Sequence, residues 1–290
     1  MNIYDNIFNN IETTNTGVIA IGYFDAIHKG HIKILNELLK ISNKKKIEHY
    51  VLTYNNLPLK EKKHKKILEI NDKINLLKEL GIKNLIMCDF DKYFYSLTPE
   101  KFIYIINKNF NIEEFVIGKD FKFGKNKSGN ILTLKKLNYI TNLIDPLYID
   151  DIKISTSKIK EYITEGMIEK ANNFMPRNFY IKGIVQEGKK LGRHLGFPTM
   201  NIMNNEIIFP KNGVYATKTY INNIEYCSMT YISSPIIETH LLNYNKYEYN
   251  IKIKVDFFKK IRDNQHFKNN NLLIEQLNKD LKYIKDFFGI

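Results

Sequence analysis

Tryptophan is absent from the 290 residues and cysteine occurs only twice, as Cys88 and Cys227. Neither cysteine stands in a Cys-x-x-Cys pair, so no disulfide framework or zinc-ligand spacing exists and a reducing compartment fits. No stretch approaches the roughly eighteen uncharged apolar residues that a membrane-spanning helix needs. The opening MNIYDNIFNNIETTN has neither a basic start nor an apolar centre. The expectation is a cytoplasmic protein with no membrane partner. Internal repeats and long low-complexity tracts are also missing. The formal net charge is +13, but there is no Arg-rich arm and no basic module interleaved with aromatics. Lysines spread along the whole chain argue against a nucleic-acid partner. The densest run, Lys60 to Lys66, reads as a solvated loop or helix face, and basic surface of this kind attracts nucleotide phosphates.

What is present is enough to fold. Hydrophobic residues make up 43% and charged residues 26% of the chain, as in ordinary globular proteins. The length suits two domains, each able to bury its own core. The excess of Lys, Asn, Ile, Tyr and Phe over Ala, Arg and Gly has the character of an AT-rich coding bias. In the first half, GVIAIG, HYVLTY, NLIMCDF and EEFVIG are short apolar strands. IKILNELLKIS, NDKINLLKELG and TPEKFIYIINKNF are helical segments between them, with Thr98 as N-cap, Pro99 at the first helical position and Gly81 as a stop. The β-α-β-α-β-α-β alternation predicts a parallel sheet that binds ligands at the carboxyl ends of its strands. Lys158 to Phe174 reads as a helical connection. From about residue 180 the segments FYIKGIVQEG, GVYATKTYINN, IEYCSMTYI, PIIETHLLNY and YEYNIKIKVDFFKKIR predict an all-β domain. An amphipathic helix, NNNLLIEQLNKDLKYIKDFF, closes the chain. The expected domains are 1–175 and 176–290.

The sharpest feature of the first half is IGYFDAIHKGHIKIL, a His-x-Gly-His turn between the first strand and the first helix. Phosphates can rest on the free amides of such a helix start, and His28 and His31 can donate to phosphoryl oxygens as charge grows on them. Gly30 permits close backbone approach. The stretch resembles the HxGH nucleotidyltransferases, and GYFDAIHKGH resembles the G-x-F-D-G-x-H-x-G-H start of bacterial FAD synthetases, with Ala26 for the second Gly. The resemblance implies that Gly22, Phe24, Asp25 and Gly30 bind ATP, Asp25 placing either the metal or the loop. ISTSKIKEYITEG resembles the family's I-S-S-T-x-I-R motif, which implies phosphate contacts from Ser155, Thr156 and Ser157. Lys160 stands in the Arg position, keeping the charge without the guanidinium fork. VIGKDFKFGKNKSGN resembles the family's flavin-binding segment, implying flavin contacts from Asp120, Phe121, Phe123 and Gly124. VLTYNNLP keeps only part of the family's T-F-x-P-x-P pattern.

In the second half, GIVQEGKKLGRHLGFPTMNI resembles the riboflavin kinase signature G-x-V-x-x-G-x-x-x-G-R-x-L-G-x-P-T-A-N, and PKNGVYAT matches its P-x-x-G-V-Y-A block. Gly188, Gly192 and Gly196 suit a tight loop around phosphates, and Thr199 and Asn201 offer neutral oxygens to Mg²⁺. Glu238 in IETHLLNY aligns with the family's catalytic Glu in E-x-H-L-L-D-F, and Arg262 with a flavin-contacting Arg segment, where Asn264 replaces Glu. CSMTYISSPIIETHLL is several residues shorter than the family's stretch before the catalytic Glu. The implied fold is a Rossmann-like α/β HxGH domain followed by a six-stranded β-barrel with a C-terminal helix. The implied activities are riboflavin phosphorylation to FMN and FMN adenylylation to FAD, with ATP as donor, Mg²⁺ as cofactor and small-molecule substrates as partners. Two alternatives stay open at this point: an FMN adenylyltransferase with a degenerate kinase domain, and a non-catalytic flavin-binding regulator. Ala26, Lys160, Asn243 and Asn264 motivate the second.

Overall fold

The computed structural model describes residues 1–9, 11, 13–56, 65–188, 191–246 and 248–290. Leu57 and Pro58 of VLTYNNLP, and Lys60 to His64 of the basic run, lie outside the described residues. The chain divides into two compact units, Met1–His64 with Leu68–Thr156, and Lys65–Ile67 with Ser157–Ile290.

The first unit is built on six strands: β1 (Asn2–Asp5), β2 (Gly17–Ile21), β3 (Glu48–Tyr54), β4 (Asn84–Cys88), β5 (Ile112–Gly118) and β6 (Ile140–Ile144). They form one sheet in the order β1-β4-β3-β2-β5-β6, and every pairing is parallel. Helices α1 (Lys29–Lys45), α2 (Ile70–Glu79), α3 (Lys92–Ser96), α4 (Pro99–Phe110) and α5 (Ile131–Lys136) connect them, and a small hairpin, β7 (Tyr148–Ile149) and β8 (Ile152–Lys153), follows. Strands β2 and β4 are buried at every position, the burial that the apolar runs required of strands covered on both faces. Their core packs Ile19, Ile21, Leu52, Ile86 and Phe115 with Phe102, Ile106 and Phe110 of α4. The Thr98 hydroxyl caps α4 at Lys101 N and Pro99 opens it, as its sequence predicts. Helix α2 differs in detail: its N-cap is Glu69, whose side chain caps nothing, and Asp72 in the first turn complements the helix dipole instead. The short strands β1 and β6 carried no pattern long enough to read. The direction of winding reverses between β2 and β5, adjacent strands, so the segments following both emerge side by side at a topological switch point.

The second unit begins with helices α6 (Thr156–Thr164) and α7 (Ile168–Phe174). Six strands follow, β9 (Tyr180–Gln186), β10 (Met200–Met203), β11 (Gly213–Ile221), β12 (Ile224–Ser233), β13 (Ile236–Leu241) and β14 (Lys252–Arg262), with a one-turn helix α8 (Leu191–His194) between the first two. They close into a barrel in the order β10-β13-β12-β11-β14-β9. The strand missing from the five β segments legible in the sequence is β10, whose four residues sit inside the Gly-rich motif. Inside the barrel, Thr217, Thr219, Ser228, Thr230 and Thr239 are fully buried. Their hydroxyls bond one another at 2.6–3.1 Å, so the polar atoms are satisfied without water. The C-terminal helix α9 (Asn270–Phe288) is capped by the Asn269 side chain and ended by Gly289 at φ 70°. Its Ile284, with Leu277 and Leu281, covers the outward residues Val214, Ala216 and Met229.

Two candidate active sites

The chain leaves β2 through Gly22 and turns sharply into α1. Phe24 and Ile27 adopt φ of 50° and 41°, values that side-chain-bearing residues rarely take. His28 is the N-cap of α1, and its Nδ1 accepts from His31 N at 3.1 Å. That bond places the proton of neutral His28 on Nε2, the nitrogen able to donate. The His28 and His31 rings stack with centroids 3.6 Å apart. Phe24 was expected to touch ATP, but its ring is 1% exposed and meets His31 edge-on at 5.0 Å, so it supports the imidazole from within the protein. Asp25 is buried as well, and its carboxylate accepts from Leu68 N at 3.4 Å. Gly22 lies against the Phe24 ring and Gly30 against the His28 ring, where an added Cβ would come within 3.0 and 3.1 Å, closer than ordinary van der Waals contact.

Beyond β5, Phe121 and Phe123 stack at 5.4 Å. Phe123 is buried in the core beside Phe102, which leaves the half-buried Phe121 as the ring with an accessible face. Gly124 has φ 71°, and a Cβ there would meet the Pro99 backbone at 2.8 Å, so glycine is required by both conformation and space. Asp120 pairs with Lys153 at 2.5 Å, which holds its carboxyl below the usual range. Ser155 precedes α6, and Thr156 opens it. Ser157 and Lys160 lie farther along the helix, whose Ile159, Tyr162 and Ile163 are buried.

On the barrel, a single cross-strand row carries Gln186, Asn201, Glu238 and Tyr231: Asn201 is paired with Gln186 on one side and Glu238 on the other, and Glu238 with Tyr231. Directly paired residues share a face of the sheet, and the alternate positions of β13 are buried. The row therefore faces outward. Among the described residues Asn201 Oδ1 has no hydrogen-bond partner although it is buried from solvent. A cleft beside it is lined by Gly188, Thr199, Asn201, Arg193 and Tyr249. A Cβ on Gly188 would fall 1.5 Å from Asn201 Nδ2, so any larger residue there displaces the Asn201 side chain or the loop. Gly192 is similarly confined, by the Phe197 carbonyl at 2.4 Å, whereas Gly196 needs its freedom for φ 85°. His240 fixes the loop by bonding Pro198 O at 2.9 Å. Arg262, expected at the flavin, instead directs its fork to Asp280 on α9, with three bonds of 2.7–3.0 Å. Asn264, two residues on, donates to Tyr231 Oη and Ile232 O, both at 3.2 Å. Arg193 stands at the Arg of the riboflavin kinase signature but was not singled out from it, and Tyr231 and Tyr249 had no family motif to mark them. Only the strand register and the fold of the loop bring them to the site.

The FAD synthetase family matches residues 10–158 and the riboflavin kinase family residues 175–288. A bifunctional riboflavin kinase/FMN adenylyltransferase of Buchnera aphidicola (subsp. Schizaphis graminum) is 34% identical over the whole of both chains. Its Bacillus subtilis counterpart is 34% identical over 94% of this chain and 92% of its own. The chain belongs to the bifunctional riboflavin kinase/FMN adenylyltransferase family. A crystal structure described as a macrolide-efflux protein from Streptococcus pneumoniae superposes with a TM-score of 0.89 at 26% identity, covering 98% of each chain. Among the described residues here, no helix is long and apolar enough to cross a membrane.

The departures from the family's motifs have local explanations. Ala26 is not among the residues of positive φ, which fall on Phe24 and Ile27 beside it, so its methyl replaces the family glycine without backbone strain. The shortened stretch before Glu238 is a tight hairpin: Ser233 pairs with Ile236, leaving only Ser234 and Pro235 in the turn. The β10–β13 register continues unbroken past it. Asn243 takes φ 59°, a conformation asparagine tolerates.

Proposed function

We propose that the two sites perform the two reactions of the family. At the first, an oxygen of the FMN phosphate attacks the α-phosphorus of ATP, the bond to the β-phosphate bridging oxygen breaks, and pyrophosphate leaves with FAD as the other product. The observation that carries this is the N-cap geometry of His28, which turns the donor edge of the imidazole away from its own helix while His31 stacks on it. Both rings then donate to phosphoryl oxygens at a helix start whose amides favour anions. Ser155, Thr156, Ser157 and Lys160 hold the remaining phosphates, and Asp120, Phe121 and the Gly124 turn bound the flavin, with Phe123 beneath them.

At the second site, Glu238 takes the proton from the primary hydroxyl of riboflavin as that oxygen attacks the γ-phosphorus of ATP, giving FMN and ADP. The donor set fits Mg²⁺: a hard cation takes oxygen ligands, and the buried Asn201 Oδ1 has no partner among the described residues. Asn201 and Thr199 would hold the ion, which when bound supplies charge neutralisation at the transferring phosphates. Gly188, Gly192 and Gly196 keep the loop close to the phosphates. Arg262, tied to Asp280, holds the strand end that presents Asn264 rather than offering its own fork to the flavin. The boundary expected at 175/176 falls after α6 and α7, which belong to the same compact unit as the barrel, with Asn172 of α7 bonded to Phe257 O of β14.

Chromatographic separation of flavins after incubation with Mg-ATP tests both assignments. Riboflavin is expected to yield FMN and FAD, and FMN to yield FAD. FAD formed from FMN with riboflavin untouched would remove the kinase assignment alone.

A further inference from the structure

Lys73 lies in the first turn of α2 and is only 3% exposed. A cation there opposes the helix dipole, so local helix preference does not account for it. Its ammonium donates to Tyr54 O at 2.9 Å, Tyr23 O at 3.1 Å and Thr53 Oγ1 at 3.3 Å, and it sits 4.6 Å from the centroid of the Tyr23 ring. Thr53, itself fully buried, donates its hydroxyl to the same Tyr23 carbonyl at 2.9 Å. The carbonyl of Tyr23 thus receives two bonds, one of them charge-assisted. Tyr23 directly precedes Phe24, the first of the two positive-φ residues, with Ile27, in the turn that leads to the His28 cap. Side-chain-bearing residues persist in such conformations only when their surroundings over-determine them, and the knot of Lys73, Thr53 and Tyr23 does so at the entry to the turn.

We propose that Lys73 is a positioning residue for adenylyl transfer. Its three N–H donors tie the end of β2 to the end of β3 through Tyr23, and that tie aims the His28 and His31 imidazoles at the phosphates. The inference rests on the adenylyltransferase reading of the first site. Lys73 acts through the backbone of the turn and touches no substrate, so its loss lowers the rate of the chemical step without comparably weakening substrate binding.

The test uses the full chain with Lys73→Met, which keeps the length of the side chain and removes every donor, and Thr53→Val, which removes one hydroxyl from the same knot. For each, kcat and KM for FMN are measured in FAD formation, alongside riboflavin phosphorylation and the thermal unfolding midpoint. Misaimed catalytic groups reduce rates by about 100-fold. A fall of that order in kcat is expected for Lys73→Met and about 10-fold for Thr53→Val, with KM for FMN within about threefold and riboflavin phosphorylation unchanged. A merely structural lysine would instead lower the unfolding midpoint and leave kcat per folded molecule unaltered, and that result overturns the proposal. Should Lys73→Met fail to fold, Thr53→Val decides: wild-type kcat in that variant overturns it too. If the unmodified protein makes no FAD from FMN, the adenylyltransferase reading itself has failed, an outcome distinct from full activity in the variants.

Discussion

Asn201 and Glu238 face each other across the β10–β13 ladder, on the outer side of the barrel. Their pairing sets a neutral oxygen with no partner among the described residues opposite a carboxylate, the combination that phosphoryl transfer from a metal-bound nucleotide to a hydroxyl demands. Replacing Glu238 with Gln keeps the shape and removes the proposed base. Riboflavin phosphorylation is expected to fall by about 100-fold or more, with FAD formation from FMN retained. Loss of both reactions in a folded variant would break the two-site assignment.

Gly188→Ala is a stricter probe of the same site. The added methyl would overlap the Asn201 amide, and the only relief is to swing that side chain away from the cleft or to push out the loop. Kinase activity should fall steeply and its Mg²⁺ dependence shift to higher concentration, while FMN adenylylation continues at its normal rate. Titration of both activities with Mg²⁺ reads this directly.

His28 caps α1 and has a proposed chemical role, and two substitutions separate them. His28→Ala removes the cap as well as the imidazole and should cost about 1 kcal/mol of stability. His28→Asn supplies another capping oxygen, so stability is retained while FAD formation still collapses. Equal unfolding midpoints for the two variants would mean that the His28 bond to His31 N contributes no capping.

The buried His49 and the half-buried His240 make stability depend on pH. His49 accepts from Lys83 N through Nε2 at 3.0 Å and meets the Ser42 hydroxyl through Nδ1 at 3.1 Å, an arrangement that requires the neutral ring. Burial lowers its pKa below the ordinary 6.5 and does the same to His240. The unfolded chain then binds more protons than the folded one below that value, so stability falls as pH drops through 6.5 toward the folded-state pKa values. Carboxyls held low by lysines, such as Asp120 by Lys153, titrate in a more acidic range. Urea unfolding at about pH 7 and about pH 5.5 should therefore show a loss of stability assignable to imidazoles; an unchanged midpoint would contradict it.

The Arg262 and Asp280 pair is almost wholly buried, and Gln276 adds a bond to the same carboxylate at 2.9 Å. Asp280→Ala leaves a guanidinium beneath α9 without its carboxylate partner, a loss of about 3 kcal/mol. The helix should become the first protease-sensitive element, and kinase activity should decline through displacement of Asn264.

The α/β half was legible because its periods are strong: β2 and β4 are unbroken apolar runs, and α4 carries both its cap and its opening proline. Strands β1, β6 and β10 were not, being short and set in polar surroundings where pairing, not pattern, decides. The motifs put His28 and His31 at the strand-to-helix turn and Glu238 on a strand, where the structure has them, yet gave no warning that Phe24 and Phe123 are interior rings. Aromatic residues in a motif look alike whether they stack on a ligand or support the residue that does. Arg262 misled for a related reason. Its partner lies 18 residues away in the closing helix, and no local pattern encodes that pairing. Lys73 was invisible because its three acceptors come from other segments, two of them backbone carbonyls.

The hydroxyl cluster inside the barrel constrains how this sequence can drift. Each of Thr217, Thr219, Ser228, Thr230 and Thr239 is a partner to at least one of the others. A single Thr→Val exchange keeps the volume but strands a neighbouring hydroxyl, at about 1–3 kcal/mol, whereas replacing both members of a pair is close to neutral. Change in this barrel's centre must therefore come in linked steps. Descendant sequences should carry either the whole set of hydroxyls or a wholly aliphatic interior, with few stable intermediates between them.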